Sequence, residues 1–321
     1  MAEKLIAITG GTGAQGGGVA NIMLKTPGWK VRIITRNVEN EKAKALKERG
    51  AEVVSANFDD EASLSKAFEG AHAIFAVTNF WEHLFTGKSR DESGVLEAKQ
   101  ALNLARAASK SSTLEHYIWS TLPNAKKITG GKVPCPHFDY KAEVDDKIRS
   151  ELPELAKKTT FLFFGYYPSN MAFFPMCKPF ELPGSYGKYV QILPTPASAH
   201  IPVAGDLSIN SGVWVRQILA KPSVSKGKYA QVGPETLTFG EMMKIWSEVT
   251  GRQGEFLQSS VEDFSRIWGI GGEEMASQLV FGEAVPDWTQ DLPFVGMEEL
   301  GIAKEEVPGL KATLEELKAL L

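Results

Sequence analysis

The sequence predicts an α/β fold, in which a doubly wound parallel sheet carries helices on both faces and is joined to a smaller C-terminal lobe. Three observations support this fold class. Short apolar segments alternate with helical segments through the first half, a glycine cluster separates the first strand from the first helix, and the alternation ends near residue 150. Strands that alternate with right-handed crossover helices form a parallel sheet covered on both faces.

The first half contains five short segments rich in apolar and β-branched residues, which predict buried strands. They cover residues 5–9, 31–35, 52–56, 73–77 and 117–120. Helices are predicted between them over residues 17–25, 39–49, 61–69 and 91–109. Gly50 and Gly70 directly follow the second and third of these helices, as glycine often does at a helix end.

The second half lacks this regular alternation. Aromatic residues and prolines are frequent over residues 161–180, and residues 183–202 are typical of loops. Further helices are predicted over residues 207–219, 239–249 and 310–321. We expect residues 161–321 to complete the sheet and to form a lobe over its C-terminal edge, where open α/β sheets bind their ligands.

The composition excludes several classes of protein. A formal net charge of −4 argues against a nucleic-acid-binding surface, which needs clustered lysine and arginine. Cys135 and Cys177 lie far apart, so they indicate neither a disulfide framework nor a metal site. No apolar stretch is long enough to cross a bilayer, and the first strand leaves no room for a signal peptide. We therefore expect a cytoplasmic protein without a nucleic-acid, membrane or metal partner.

A glycine-rich turn follows the first strand and consists of Gly10, Gly11, Thr12, Gly13, Ala14, Gln15 and Gly16. It satisfies both G-x-G-x-x-G and G-x-x-G-x-x-G. Glycines at these spacings allow a tight turn, close approach of the backbone to a diphosphate, and packing of the helix on the strand. The helix N-terminus then offers free N–H groups to the phosphates. Because the motif lies between a strand and a helix, it predicts a Rossmann-type dinucleotide-binding domain.

Arg36 indicates which dinucleotide is bound. It ends the second strand, twenty positions after Gly16. NAD enzymes place an aspartate or glutamate near this point to hold the ribose hydroxyls, whereas an arginine accommodates a 2′-phosphate. A guanidinium pairs with phosphate through two charge-assisted hydrogen bonds. The sequence therefore favours NADP over NAD.

Together these features resemble the NmrA-like family of atypical short-chain dehydrogenases/reductases. The resemblance rests on residues 10–16, 35–37, 57–60, 78–82, 137–141 and 167–170. These segments reach from the first half into the second, so the resemblance covers most of the chain. It implies that residues 1–160 form an NADP-binding Rossmann domain and that NADP lies between this domain and the lobe.

The resemblance also implies which residues hold the cofactor. Beyond the glycine turn they are Arg36, Asn37, Asn57, Phe58, Thr78, Asn79, Phe80, Lys141, Tyr167, Pro168, Ser169 and Asn170. The pair at residues 57–58 would lie by the adenine, Lys141 would reach the nicotinamide ribose, and residues 167–170 would flank the nicotinamide. The alternative interpretation makes Phe58 and Phe80 core residues and the asparagines at positions 57 and 79 turn formers.

The chain departs from ordinary short-chain reductases at the proton donor. Those enzymes carry Tyr-x-x-x-Lys, which places both side chains on one face of a helix so that the tyrosine can donate a proton. Here His137 precedes Lys141 by four residues. Tyr140 lies about 100° around the helix from the lysine and cannot replace that tyrosine. Lys141 is therefore a candidate catalytic residue without its usual partner.

Three interpretations of the proton donor remain open. His137 is the donor in the first, since an imidazole titrates near neutral pH. In the second, the proton comes from Ser120 or Thr121 after the fifth strand, or from Tyr166 or Tyr167 in the lobe. Among these four residues, Tyr167 is the candidate catalytic residue. In the third there is no donor, and the protein only senses its cofactor.

An aromatic cluster predicts the character of the substrate pocket. Trp81, Tyr166 and Phe173, with Ser120 beside them, are the expected pocket residues, and they favour a flat apolar small molecule. The resemblance implies an NADP(H)-dependent oxidoreductase of secondary metabolism that reduces a carbonyl, imine or iminium group or catalyses a redox-neutral rearrangement. The alternative is a non-catalytic NADP(H) sensor that regulates a protein partner such as a transcription factor.

Overall fold

The computed structural model describes residues 3–321 and confirms the α/β fold class. Its strands are β1 (Lys4–Thr9), β2 (Trp29–Thr35), β3 (Glu52–Ser55), β4 (Ala73–Ala76), β5 (His116–Thr121), β6 (Thr159–Phe164), β7 (Phe180–Glu181), β8 (Lys188–Leu193), β9 (His200–Val203), β10 (Tyr229–Val232), β11 (Glu235–Thr238) and β12 (Gln253–Gln258). Seven of them form a parallel central sheet in the order β10-β6-β5-β4-β1-β2-β3. All five strands expected in the first half are present in this sheet.

The helices of the described residues are α1 (Ala14–Met23), α2 (Glu41–Glu48), α3 (Glu61–Ala67), α4 (Phe80–Leu84), α5 (Arg90–Ser109), α6 (Ala125–Ile128), α7 (Pro136–Glu151), α8 (Pro153–Ala156), α9 (Asn170–Phe173), α10 (Leu207–Ala220), α11 (Pro222–Ser225), α12 (Phe239–Thr250), α13 (Val261–Ala284), α14 (Met297–Leu300) and α15 (Leu310–Glu316). One 3₁₀ turn, Lys304–Glu306, precedes α15, and another, Lys318–Leu320, follows it. Helix α13 is interrupted at Gly269, whose φ is +60°. No helix within residues 3–321 is long and apolar enough to cross a membrane.

Helix α1 begins at Ala14, three residues before the predicted start at residue 17. Glycines usually disfavour a helix, but here they allow close packing. A Cβ atom on Gly18 would lie 1.8 Å from the Leu207 carbonyl oxygen of α10, and one on Gly16 would lie 2.5 Å from the Gly10 carbonyl oxygen. Tertiary contact therefore overrides the low helix propensity of glycine at these positions.

Apolar residues form cores on both faces of the sheet and a third core in the C-terminal half. Helices α1 and α10 cover one face through residues such as Val19 and Trp214, while α3, α5 and α7 cover the other. The third core contains Phe239, Trp246 and Phe264. It places the second half of the chain beside the carboxyl ends of the central strands.

The second half contributes to the central sheet as well as to the lobe. Strand β10 pairs with β6, which itself spans residue 160. In the lobe, β7 and β12 flank β8, and β9 pairs with β11 in an antiparallel manner. The expected division of the chain at residue 160 stays a prediction. The final helix, predicted over residues 310–321, ends at Glu316 and continues as a 3₁₀ turn.

Candidate functional site

A cleft of about 570 Å³ lies at the carboxyl ends of the central strands, between the sheet and the C-terminal half. Most of the predicted site residues line it: Gly10, Thr12, Gly13, Ala14, Gln15, Gly16, Arg36, Phe58, Thr78, Asn79, Phe80, Trp81, Ser120, His137, Lys141, Tyr166, Tyr167 and Asn170. The fold thus brings together segments that are up to 160 positions apart in the sequence.

Six predicted residues do not line this cleft. Gly11 lies against β2, where a Cβ atom would be 2.7 Å from Ile33. Asn37 and Asn57 use their side-chain oxygens to accept hydrogen bonds from the backbone amides two residues further on, as turn formers do. Pro168 and Ser169 form the turn that leads into α9.

Phe173, expected in the pocket, is instead 61% exposed at the end of α9. Its neighbour Phe174 lines the cleft and packs edge-on against Trp81, with ring centroids 5.3 Å apart. The pocket position is therefore shifted by one residue, because α9 ends at Phe173 and the chain extends at Phe174.

The glycine turn fits a diphosphate. Gly10 adopts a φ of +61°, and the Gly13 amide donates to its carbonyl oxygen at 2.9 Å. The residue that precedes α1 is Gly13, so no side chain caps the first amides of this helix. These amides are the groups that bind phosphates at a helix N-terminus.

Arg36 forms a bidentate ion pair with Glu82 of α4. The two guanidinium nitrogens Nη1 and Nη2 lie 2.5 and 2.9 Å from the carboxylate oxygens. Both residues line the cleft. The hydrogen bond raises the pKa of Arg36 and lowers the pKa of Glu82. Sequence reasoning assigned Arg36 to a phosphate but missed this carboxylate.

Lys141 is buried and bonded to two oxygen atoms. Its Nζ lies 2.7 Å from Oε1 of Glu97 and 2.9 Å from Oγ1 of Thr78, and Thr78 donates to the same Glu97 oxygen. The second carboxylate oxygen of Glu97 has no hydrogen-bond partner among residues 3–321. Sequence reasoning missed Glu97 because a glutamate inside a long helix is usually exposed to solvent.

His137 is the centre of a second buried polar group. Its Nδ1 lies 2.5 Å from Oε1 of Glu274, and its Nε2 lies 3.1 Å from Oε1 of Gln278. Arg90 bonds the other Glu274 oxygen at 2.5 Å. Burial disfavours the ionised carboxylate, but the bonds and charges of His137 and Arg90 outweigh burial and lower the pKa of Glu274 to about 2. No sequence motif links His137 to Glu274, which is 137 positions away.

The Cys135 thiol completes this group, with its Sγ 3.5 Å from Nδ1 of His137 and 3.9 Å from Oε1 of Glu274. A cysteine, a histidine and a glutamate could together hold a metal ion. However, 2.5 Å between nitrogen and oxygen is a hydrogen-bond distance, and Arg90 already balances the carboxylate. Burial and the charge of Glu274 also raise the pKa of the thiol. The geometry therefore favours a proton-bearing network over a metal centre.

Gln15 connects two of the other candidate proton donors. Its amide nitrogen donates to the Tyr167 hydroxyl at 2.6 Å, and its amide oxygen accepts from Ser120 at 2.7 Å. Burial raises the pKa of Tyr167 to about 12, although the bond with Gln15 lowers it in part. Burial also raises the pKa of Tyr166, which packs on Phe239 in the core of the lobe.

Aromatic rings surround His137 where it faces the cleft. The ring centroids of Phe80 and Trp81 lie 5.6 and 5.4 Å from that of His137. Phe80 and Trp81 also pack edge-to-face on each other at 5.9 Å. The imidazole is therefore held on one side by a carboxylate and on the other by apolar rings that line the cleft.

A model of the NmrA-like family matches residues 2–291. The chain belongs to the NmrA-like family. An NmrA-like family domain-containing protein of Dictyostelium discoideum is 28% identical over 283 residues, which cover 87% of each chain. An NmrA-like family domain-containing oxidoreductase of Aspergillus hancockii is 26% identical over 290 residues, 87% of this chain and 82% of its own length.

The fold of this NmrA-like chain is similar to that of NmrA itself. The structure of NmrA, a negative transcriptional regulator, in complex with NADP superposes with a TM-score of 0.77. The sequences are 20% identical, and the match covers 99% of this chain and 96% of NmrA. The family resemblance and the α/β fold expected from sequence are thus confirmed.

Proposed function

We propose that this NmrA-like chain is an NADP(H)-dependent oxidoreductase that reduces a flat apolar small molecule with His137 as the proton donor. One observation carries the proposal: the His137 imidazole borders the cleft between aromatic rings and is hydrogen-bonded behind by the buried carboxylate of Glu274. A histidine held by a carboxylate is a common arrangement for proton transfer.

The residues of the cleft fit NADP(H). The amides at the start of α1 would bind the diphosphate, and Arg36 would bind the 2′-phosphate. Lys141 and Thr78 would contact the nicotinamide ribose, with Tyr167 beside the nicotinamide. When bound, NADPH supplies a hydride to the electrophilic carbon of the substrate. The name of the Aspergillus relative and the NADP complex of NmrA support this assignment.

The hydrogen bonds of His137 suit a donor. Both ring nitrogens face oxygen atoms that accept, so an imidazolium satisfies both contacts. His137 would exchange the Gln278 contact of its Nε2 for the substrate, and would give the Nε2 proton to the oxygen or nitrogen that takes up the electron pair of the substrate double bond. The neutral imidazole that remains would keep its proton on Nδ1, hydrogen-bonded to Glu274.

The aromatic lining supports a flat apolar substrate. Phe80 and Trp81 lie beside His137, Phe174 packs on Trp81, and such aromatic surfaces bind planar molecules. The family resemblance adds the proposal that the substrate belongs to secondary metabolism.

The test measures NADPH oxidation with paired aromatic substrates, a ketone and a preformed iminium ion. His137→Asn should lower kcat for the ketone by about 100-fold or more, because general acid catalysis contributes about 10²–10⁴-fold. The iminium needs no proton, so its kcat should change much less. His200→Asn, at an exposed position of the lobe, is the matched control. Equal losses for both substrates would exclude His137 as the donor.

A sensor is the second candidate function. It is supported by the fold similarity to NmrA, a negative transcriptional regulator, and by the missing tyrosine four residues before Lys141. A sensor should bind NADP⁺ and NADPH with unequal affinity and should not oxidise NADPH with any substrate of the panel. Turnover that depends on His137 would reject it.

A further inference from the structure

The ion pair between Arg36 and Glu82 occupies the position proposed for the cofactor's 2′-phosphate. Arg36 follows the end of β2, and Glu82 lies in the middle of α4. The carboxylate engages both terminal nitrogens of the guanidinium, which is the geometry that a phosphate would also use. Glu82 and a 2′-phosphate would therefore compete for the same two N–H donors of Arg36.

The pair is exposed enough to exchange. The side chains of Arg36 and Glu82 are 63% and 40% accessible, and exposed ion pairs stabilise proteins only weakly. A phosphate monoester carries almost two negative charges at neutral pH, against one on the carboxylate. The phosphate should therefore displace Glu82 from Arg36 and then repel it.

Displacement of Glu82 has consequences for the substrate end of the cleft. Helix α4 has only five residues, and its first two are Phe80 and Trp81, whose rings flank His137. Asn79, which precedes the helix, makes no capping bond with its side chain. Because Glu82 shares this short helix with both rings, a movement of the helix at Glu82 would also move the two rings beside His137.

We propose that Glu82 determines cofactor selectivity and couples the adenosine end of the cleft to the substrate end. Glu82 weakens NADP(H) binding by competing for Arg36, and the bound 2′-phosphate releases α4. NAD(H), with a hydroxyl at that position, leaves the ion pair in place. The inference rests on the proposed NADP(H) site and adds a residue that tunes it.

The first test compares NADP⁺ and NAD⁺ binding to Glu82→Gln by calorimetry. Loss of the carboxylate should lower the Kd of NADP⁺ by about threefold to tenfold, the range expected for an exposed ion pair and a relieved repulsion. The Kd of NAD⁺ should change less than twofold. In an Arg36→Ala background, Glu82→Gln should no longer increase the affinity for NADP⁺. Arg36→Ala alone should weaken the binding of NADP⁺ more than the binding of NAD⁺.

The matched control is Glu61→Gln, which breaks an exposed ion pair with Lys110 of the same 2.5 Å length away from the cleft. Equal changes for NADP⁺ and NAD⁺ in Glu82→Gln would overturn the selectivity role. Wild-type protein that binds neither nucleotide would instead reject the proposed function, so the two failures are distinguishable.

The second test uses adenosine 2′,5′-bisphosphate and 5′-AMP, which both lack the nicotinamide and differ at the 2′ position. Emission of Trp81 is obtained as the difference between wild type and Trp81→Phe, with saturation established by calorimetry. The bisphosphate should change this emission, 5′-AMP should not, and Glu82→Gln should abolish the change. Saturating bisphosphate with unchanged Trp81 emission would overturn the coupling.

Discussion

At the scale of residues, Lys141 and His137 each contact a separate buried carboxylate. Glu97 is paired with the lysine, and Glu274 is paired with the histidine. In a Tyr-x-x-x-Lys enzyme the lysine charge acts on the neighbouring tyrosine. Here Glu97 offsets the charge of Lys141. This agrees with the proposal that His137, which contacts Glu274, is the proton donor.

Glu97→Gln tests the buried pair. The substitution leaves the Lys141 charge without its counter-ion in a buried position, so the free energy of unfolding should fall by about 3–5 kcal/mol. The double variant Glu97→Gln with Lys141→Met removes both charges and should recover most of this loss. Urea unfolding of the three proteins measures both quantities. A single variant as stable as wild type would contradict the pairing.

Local motifs predict part of the site. Short sequence motifs identify the glycine turn, Arg36, Thr78 and Lys141, because their residue types are typical of cofactor binding. All of these residues except Gly11 border the cleft. Glu97 and Glu274 lie in long helices with no accompanying motif. Their contact with Lys141 and His137 depends on tertiary packing, which a single sequence does not show.

At the scale of elements, α7 presents three polar side chains at intervals of four residues. His137, Lys141 and Asp145 are all buried and follow one another along the helix face that meets the sheet and the cleft. Asp145 accepts hydrogen bonds from Trp119 of β5 at 2.9 Å and from Tyr229 of β10 at 3.1 Å. The carboxyl group thus anchors α7 to the sheet.

Asp145 should make stability depend on pH. Burial raises its pKa from 3.8 to about 7, despite opposing hydrogen bonds and the charge of Arg149. The folded protein then retains a proton that the unfolded chain loses between about pH 4 and pH 7, so the free energy of unfolding falls as the pH rises through this window. Asp145→Asn should lack this decrease.

Denaturant unfolding of wild type, Asp145→Asn and the exposed neighbour variant Asp146→Asn at pH 4 and pH 7.5 measures this effect. The Asp146→Asn protein should follow the wild type. If wild type and Asp145→Asn keep a constant difference in stability across the two pH values, folding does not raise the pKa of Asp145.

The elements of the first half could be predicted because each strand and helix has its own local pattern. The lobe could not be predicted in the same way. Strand β8 pairs with β12, which lies about 60 residues further along the chain, and β9 pairs with β11 across two helices and a central strand. Such short strands have no distinctive pattern until a distant partner covers them.

At the scale of the whole molecule, α1 and α10 join the two halves of the chain. Gly18 of α1 lies against the carbonyl of Leu207, and Gly212 of α10 lies against Ile22, where a Cβ atom would be 2.4 Å away. These helices contact each other backbone to backbone because both contact points lack side chains. The first half supplies the glycine turn, and the second half supplies Tyr167 and Glu274.

Gly18→Ala tests this junction. Its new methyl group would overlap the Leu207 carbonyl and force α1 away from α10, so we expect a loss of about 3 kcal/mol or more in the free energy of unfolding. Gly282→Ala is the matched control, since it is also buried in a helix but its nearest atom would be 3.9 Å away. The control should stay within about 1 kcal/mol of wild type. Equal effects of both substitutions on thermal unfolding would contradict the packing.

The backbone contact at Gly18 also limits how far the two halves of the protein can move apart. A main-chain seam of this kind does not stretch, because separation of the helices would open a void along both of them. We therefore expect the glycine turn and the C-terminal side of the cleft to keep their separation where α1 meets α10. We expect the entry and exit of molecules to depend on small local elements that line the cleft, such as α4 and the segment around Phe174, and not on separation of the two halves.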